Sequence, residues 1–259
     1  MTGPLAYIGG KNRFAKRIIR TFPEHTTYVE AFAGGAQVFF HKQPSKVEVL
    51  NDLDGEIVNF FRVCQWHHRE LLAQLRYCLA SRKLYELITK SNPEVLTDVQ
   101  RAARFFYLQK NSYGGLVIKQ NYHFTVAKTS NYNPARLPEI LKNTHKRLQN
   151  VQIESLPYEK VLDMFDRPET LFYLDPPYWG RKLYRFNFEP EDFRSLAQRL
   201  AQLKGRFVLS LNDLPEVRET FKAFSIDRFE AAYSAQQKSD RRYGELLITN
   251  YPLKNGKPA

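Results

Sequence analysis

Two short apolar runs, TYVEAFA at 27–33 and KVEVLND at 46–52, each give way to small or acidic residues, and the pattern then disappears for a long stretch. Runs of that length with such endings read as buried strands leading into loops. From Leu53 to about Gln149 the periodicity turns mostly helical, in GEIVNFFRVCQW, DVQRAARFFYLQK and LPEILKNTHKRLQ, with one extended Gly- and Asn-bearing piece from Asn111 to Asn133. Strand and helix patterns then alternate again: NVQIES, a short helix from Tyr158 to Met164, TLFYLD, the helix EPEDFRSLAQRLAQL, RFVLSLND, a helix near Glu216 to Ala223, and ELLITNY. One mostly parallel α/β sheet, written in two pieces of sequence around a helical insertion, satisfies both halves of that pattern. The expected boundaries are 1–55 with 150–259 for the sheet domain and 56–149 for the insertion. No Pro/Ser-rich linker, repeat or low-complexity tract marks the joints.

Ligands of such sheets sit at the carboxyl ends of the strands. After the first strand come Ala33, Gly34, Gly35 and Ala36, which remove side-chain bulk where a backbone must approach a ligand, though a plain tight turn carries the same residues. The loop lacks the GxGxxG of a pyrophosphate site, which argues against a nicotinamide or flavin dinucleotide. After the second strand stands Asp52, 18 residues beyond Gly34, close to the ~20-residue offset at which an acid holds a nucleoside ribose. A helix N-cap at Asp52 or Asp54 is the structural alternative. The strand TLFYLD runs into the sequence DPPYWG at 175–180. Proline cannot donate to a sheet ladder and restrains its neighbour, so a strand gains nothing structural from that ending.

The chain carries 39 Lys and Arg against 27 Asp and Glu, a net charge of +12, which favours a polyanionic partner. Most of the surplus is local. Between Arg101 and Asn150 stand nine basic residues, Arg101, Arg104, Lys110, Lys119, Lys128, Arg136, Lys142, Lys146 and Arg147, against the one acid Glu139. The same window holds Tyr107, Tyr113, Tyr122, His123, Tyr132 and several Asn and Gln, groups that stack on or hydrogen-bond to bases. A solvated helical face is the bland reading of such a window, and nucleic acid is the functional one.

DPPY suits one piece of chemistry. An exocyclic amino group on a base is a poor nucleophile because its lone pair is delocalised into the ring. Asp175 can accept one N–H and the carbonyl of Pro176 the other, favouring a pyramidal nitrogen whose lone pair points outward. Tyr178 offers a flat face, and a base reached this way must first rotate out of the duplex.

DPPY resembles the catalytic motif of amino-group DNA methyltransferases, and the order of the other motifs is similar to that of the Dam-type adenine-N6 enzymes (D12 class, α group). YIGGK (7–11) resembles their N-terminal motif, VEAFAGGA (29–36) the donor loop, and LNDLDGEIV (50–58) the ribose-acid motif. NSYGGLVIKQNYHFTV (111–126) is similar to their recognition segment and GELLITNY (244–251) to their C-terminal strand. The resemblance implies a Rossmann-like fold that uses S-adenosylmethionine as methyl donor, with a mixed, mostly parallel sheet and an inserted, mainly helical DNA-recognition domain. It implies that Tyr7, Lys11, Phe32, Gly34, Asp52, Tyr158 and Asp175 line the donor site, with Lys11 near the methionine carboxylate and Asp52 on the ribose. It makes Asp175, Pro176 and Tyr178 catalytic. Many members have an acid before the aromatic at position 158, where this chain has Pro157. Tyr184 with Phe186 or Phe188 is a candidate lid, although aromatics beside a helix start also serve as core.

The residues expected to meet duplex DNA are Arg104, Asn111, Tyr113, Lys119, Asn121, Lys128 and Arg136, and KSDRR at 238–242 reads as a hairpin tip reaching phosphates or as a soluble loop. GATC or a related short site is the natural first expectation. Cytosine-N4 or RNA amino-group methylation remains open, as does an inactive nucleic-acid-binding relative. Cys64 and Cys78 lack CxxC spacing and the six histidines form no metal motif, so no metal is expected. The N-terminus shows no signal-peptide run and no apolar run approaches ~20 residues. A cytoplasmic protein of bacterial or phage type, associated with the nucleoid through DNA and acting as a monomer or weak dimer, is the expectation.

Overall fold

The computed structural model describes residues 1–124, 130–230 and 244–253; Lys128 and the KSDRR segment lie outside them. The strands are β1 (Thr27–Glu30), β2 (Val47–Asn51), β3 (Gln152–Glu154), β4 (Thr170–Leu174), β5 (Arg206–Asn212), β6 (Ser225–Glu230) and β7 (Gly244–Thr249). They form one sheet in the order β3-β2-β1-β4-β5-β7-β6. The first five are parallel, and β7 runs antiparallel between β5 and β6. This is the mostly parallel α/β sheet that the alternation of apolar runs implies, in the Rossmann-like form that the resemblance implies.

The helices are α1 (Ala15–Ile19), α2 (Gln37–His41), α3 (Gly55–Trp66), α4 (His68–Leu75), α5 (Arg82–Lys90), α6 (Asp98–Asn111), α7 (Leu137–Leu148), α8 (Tyr158–Phe165), α9 (Pro190–Leu200) and α10 (Pro215–Thr220). Their starts follow local chemistry. Asp54 caps α3 by accepting from the Glu56 amide, Ser81 caps α5, and Thr97 with Gln100 makes a reciprocal capping box on α6. Among the described residues no helix is long and apolar enough to cross a membrane.

Strand alternation sorts the core into two layers. Val29, Val49, Phe172, Leu174, Phe207 and Leu209 point to one face and pack with Val161, Phe193, Leu196 and Val217 of α8, α9 and α10. Tyr28, Leu50, Leu171, Tyr173, Val208 and Leu247 point to the other, where they join Phe60, Phe61, Leu71, Phe106, Leu141 and Leu148 from the helices between β2 and β3. Each fully buried Phe or Leu contributes about 1.5–3 kcal/mol of transfer free energy.

The helices of 55–148 therefore share one hydrophobic cluster with a face of the sheet. Polar ties reinforce the contact. Arg147 of α7 binds Glu48 of β2 through its two terminal guanidinium nitrogens, donates to the Phe39 carbonyl and lies 3.6 Å over the Phe39 ring. The Gln65 amide donates to the carbonyls of Leu148 and Val151. β6, with Asp227 and Arg228 in its short run, is an edge strand that the apolar pattern does not mark.

Candidate active site

β1 lies between β2 and β4, so the chain leaves the sheet in opposite directions on its two sides. A crevice at the carboxyl ends of strands opens at such a switch point. Here it is a cavity of about 560 Å³ whose wall carries Tyr7, Lys11, Phe32, Gly34, Asp52, Tyr158 and Asp175. All seven residues expected at the donor site thus face one space. Pro176 and Tyr178 are not among the residues that line it, whereas Pro177 is.

The loop after β1 is shaped for close approach. Gly34 has φ +47°, and a Cβ there would come within 3.0 Å of the Tyr7 ring. Ala36, at φ 49°, holds a left-handed conformation that costs a residue with a side chain, the kind of strain that collects at ligand sites. Asp52 is fixed by two backbone amides: Gly34 N–H donates to Oδ2 at 2.8 Å and Asp54 N–H to Oδ1 at 2.9 Å. Burial, together with the neighbouring Asp54 charge and against those amide donors, raises the Asp52 carboxyl to about 6. The Leu53 amide also favours the charged form. Asn51 ties the strand ends together, donating to Ala31 and Leu156 carbonyls and accepting from the Leu156 amide.

Three rings, Phe32, Tyr158 and Phe188, cluster with centroids 5.3–5.8 Å apart. Pro157 stands at the N-cap of α8, and the aromatic that follows it reaches the cavity wall without a preceding acid. On the opposite side Tyr184 stacks on Tyr7 at 6.0 Å and 17° and donates to the Ile8 carbonyl. Arg185 pairs with Asp54 at 3.0 Å. The 184–188 segment thus spans from the N-terminal motif to the aromatic cluster, with Phe186 half exposed.

Asp175 follows β4 and is held by three hydrogen bonds from two donors. Lys11 Nζ reaches Oδ1 at 2.7 Å and Oδ2 at 2.8 Å, and Ser210 Oγ donates to Oδ1 at 2.8 Å. Oδ1 is saturated, while Oδ2 keeps one acceptor position. Lys11 is 3% exposed, donates also to the Gly9 carbonyl and lies 4.8 Å from the centroid of the Tyr178 ring. The Tyr178 hydroxyl donates to Glu245 Oε1 at 2.9 Å. Glu30, 1% exposed at the end of β1, accepts from the Tyr28 hydroxyl, and burial raises its carboxyl to about 8.

Of the residues expected at DNA, Tyr113, Lys119, Asn121 and Arg136 are exposed. Tyr113 and Asn121 belong to a small hairpin closed by the Ser112–Tyr122 bridge. Its turn docks on the N-terminal motif, since Ile8 N–H donates to the Gly115 carbonyl at 3.0 Å. At Gly115, φ +71°, a Cβ would meet the Ala6 carbonyl at 2.8 Å. The buried Gln109 amide donates to both the Ala6 and Gly115 carbonyls. Asn111 is 3% exposed and its amide is committed to the Tyr107 carbonyl. Arg104 is half-buried and donates to Ser91 Oγ and the Thr89 carbonyl.

The sequence did not single out Ser210, Glu245, Asn51 or Gln109. Each is a polar residue within or at the end of a strand or helix run, and only the three-dimensional contacts give it a role.

Comparison with known proteins adds the chemistry. A family model for D12 class N6 adenine-specific DNA methyltransferases matches residues 7–235. The type II methyltransferase M1.LlaDCHI of Lactococcus lactis subsp. cremoris is 28% identical over 268 residues, covering 95% of this chain and 94% of that one. M.CviBI, a type II methyltransferase of Paramecium bursaria Chlorella virus NC1A, is 24% identical, covering 95% and 96%. M.MjaIII, the type II methyltransferase of Methanocaldococcus jannaschii, is 26% identical, covering 95% and 98%. The match takes in the N-terminal, donor-loop, ribose-acid and DPPY motifs in one order, and the chain belongs to the D12 class of N6 adenine-specific DNA methyltransferases.

Proposed function

We propose that this protein methylates the N6 amino group of an adenine rotated out of a short specific site in duplex DNA, GATC or a related sequence. The observation that carries the reading is the Asp175 carboxylate, fixed by Lys11 and Ser210 with one acceptor position left on Oδ2, at the wall of the cavity that also holds Asp52.

The cavity suits S-adenosylmethionine, the family's donor. Its volume falls in the range of small-ligand sites, a Gly-Gly loop lines it, and Asp52 presents a fixed carboxylate to a ribose diol. Phe32 and Tyr158 would flank the adenine ring, Tyr7 and Gly34 the chain beyond it, and Lys11 brings positive charge to the side where a carboxylate would lie. When bound, the donor supplies a methyl group already activated by the positive charge on sulfur, so no covalent enzyme intermediate is needed.

The protein's contribution is alignment and hydrogen bonding. Asp175 Oδ2 and the Pro176 carbonyl accept hydrogen bonds from the two amine N–H groups, Tyr178 meets the ring, N6 would take the methyl group as its bond to sulfur breaks, and the one proton lost from nitrogen passes to water or Asp175. Tyr113, Lys119, Asn121 and Arg136 supply the exposed DNA contacts. Asn111 and Arg104 brace the segment that carries them. The 56–149 segment acts as the target-recognition region although it shares its core with the sheet, and the whole works on DNA inside the cell.

Mapping modified bases by single-molecule sequencing, on plasmid incubated with purified protein and donor, tests this. N6-methyladenine in one short context supports it. Plasmid with every adenine unmodified, or methyl groups on cytosine, overturns it.

A further inference from the structure

Glu245, on β7, stands next to the catalytic motif and has no part in the chemistry above. It is 8% exposed, its Oε1 accepts from the Tyr178 hydroxyl at 2.9 Å, and its Oε2 is buried with no hydrogen-bond partner among the described residues. A buried carboxyl oxygen left unpaired is a net cost to folding, so this acid is not explained by stability.

Nor is Glu245 needed to hold the DPPY loop. Asn212 at the end of β5 already clamps the backbone after it, accepting from the Trp179 amide at 3.1 Å and donating to the Trp179 carbonyl at 3.2 Å. What remains for Glu245 is the ring itself. The Lys11 ammonium lies over that ring, and the hydroxyl at its far end is anchored, among the described residues, by Glu245. Burial, with the Asp175 and Glu245 charges, keeps the hydroxyl protonated and hence a donor.

We propose that Glu245 is a positioning residue for methyl transfer, holding the Tyr178 ring in one orientation through its hydroxyl so that the ring meets the target base at a fixed angle. The proposal rests on the reading that Tyr178 faces the rotated adenine. It departs from the usual polar-satisfaction rule in the way functional sites do.

Steady-state kinetics on a duplex carrying the mapped site test it, with a second duplex bearing 2-aminopurine in place of the target adenine reporting base rotation and donor affinity measured alongside. Glu245→Leu, which keeps the volume and removes the acceptor, is expected to lower kcat about tenfold, the scale of one hydrogen bond, with donor affinity unchanged and the melting midpoint equal or higher. Glu245→Gln, whose amide oxygen still accepts from the hydroxyl, should retain kcat within about threefold. Tyr178→Phe, which leaves β7 intact, should match Glu245→Leu, and the double variant should be no worse than either single.

Full kcat in both Glu245→Leu and Tyr178→Phe would overturn the proposal, as would losses that multiply in the double variant or a Gln replacement as damaging as Leu. If Glu245→Leu does not fold, Tyr178→Phe decides: full kcat overturns the proposal and a loss of about tenfold supports it. A wild-type protein that leaves adenine unmodified would instead overturn the proposed function itself. Methylating wild type with indifferent variants sinks only the role of Glu245.

Discussion

The Lys11 ammonium grips both oxygens of Asp175, at 2.7 and 2.8 Å, across 164 residues of sequence. The pair joins the N-terminal motif to the end of β4 and sets the rotamer of the carboxylate on which the proposed chemistry depends. The Asp175 charge is also felt at Glu30 and Glu245, and the Lys11 charge opposes it at Glu245. Lys11→Met removes it. Breaking a fully buried pair costs about 3–5 kcal/mol, but Asp175 keeps a fifth of its surface, so about 1–2 kcal/mol and a fall of about 3–6 °C in melting temperature are expected. Calorimetry checks this, and donor binding should weaken in the same variant.

Donor affinity should depend on the protonation of Asp52. Its carboxyl titrates near 6, and the charged form is the better acceptor for ribose hydroxyls. Affinity is therefore expected to be full above that value and to fall as pH drops through about 6. Asp52→Asn should bind weakly throughout and lose this pH dependence. Titration calorimetry at several pH values reads both.

Exposed cations on the 111–136 segment should govern the salt dependence of DNA binding. Removing one side chain that neutralises a phosphate lowers the slope of log affinity against log salt by about 0.9. Lys119→Ala with Arg136→Ala is expected to flatten the slope by about 2 if both reach phosphates. An unchanged slope would place the DNA elsewhere on the surface.

The Arg147–Glu48 pair makes a pH-dependent contribution to stability. Burial would raise the Glu48 carboxyl, but hydrogen bonds from Arg147 and Lys42 and their charges outweigh it and bring the group below its usual range. A depressed carboxylate contributes stability above its unfolded value and loses it as pH falls through the folded one. Arg147→Met should thus cost most near neutral pH, and its difference in melting temperature from wild type should shrink on acidification below the usual glutamate value.

Much of the fold was legible because burial on both faces of a parallel sheet leaves continuous apolar runs, as in TLFYL of β4. The ends of those runs gave Gly34, Asp52 and Asp175. β6 was not legible, since an edge strand carrying Asp227 and Arg228 has no such run. Ser210 and Glu245 were silent because one polar residue within an apolar strand says nothing of what crosses from the next strand. The basic window likewise gave the type of partner but not burial: Asn111 looks like a base reader in sequence, and its amide folds back onto its own helix. The shared core of sheet and 55–148 helices depends on pairings such as Arg147 to Glu48, 99 residues apart, which no local pattern encodes.

The central claim is that Asp175 holds the amine while other residues hold the DNA. Asp175→Ala tests it most directly, with methyl transfer to duplex and duplex affinity measured on the same preparation. The account predicts methylation reduced by about a thousandfold or more, the scale of losing an electrostatic acceptor in the transition state, with DNA affinity nearly unchanged. Methylation that persists, or DNA affinity that falls in step with it, would contradict the account.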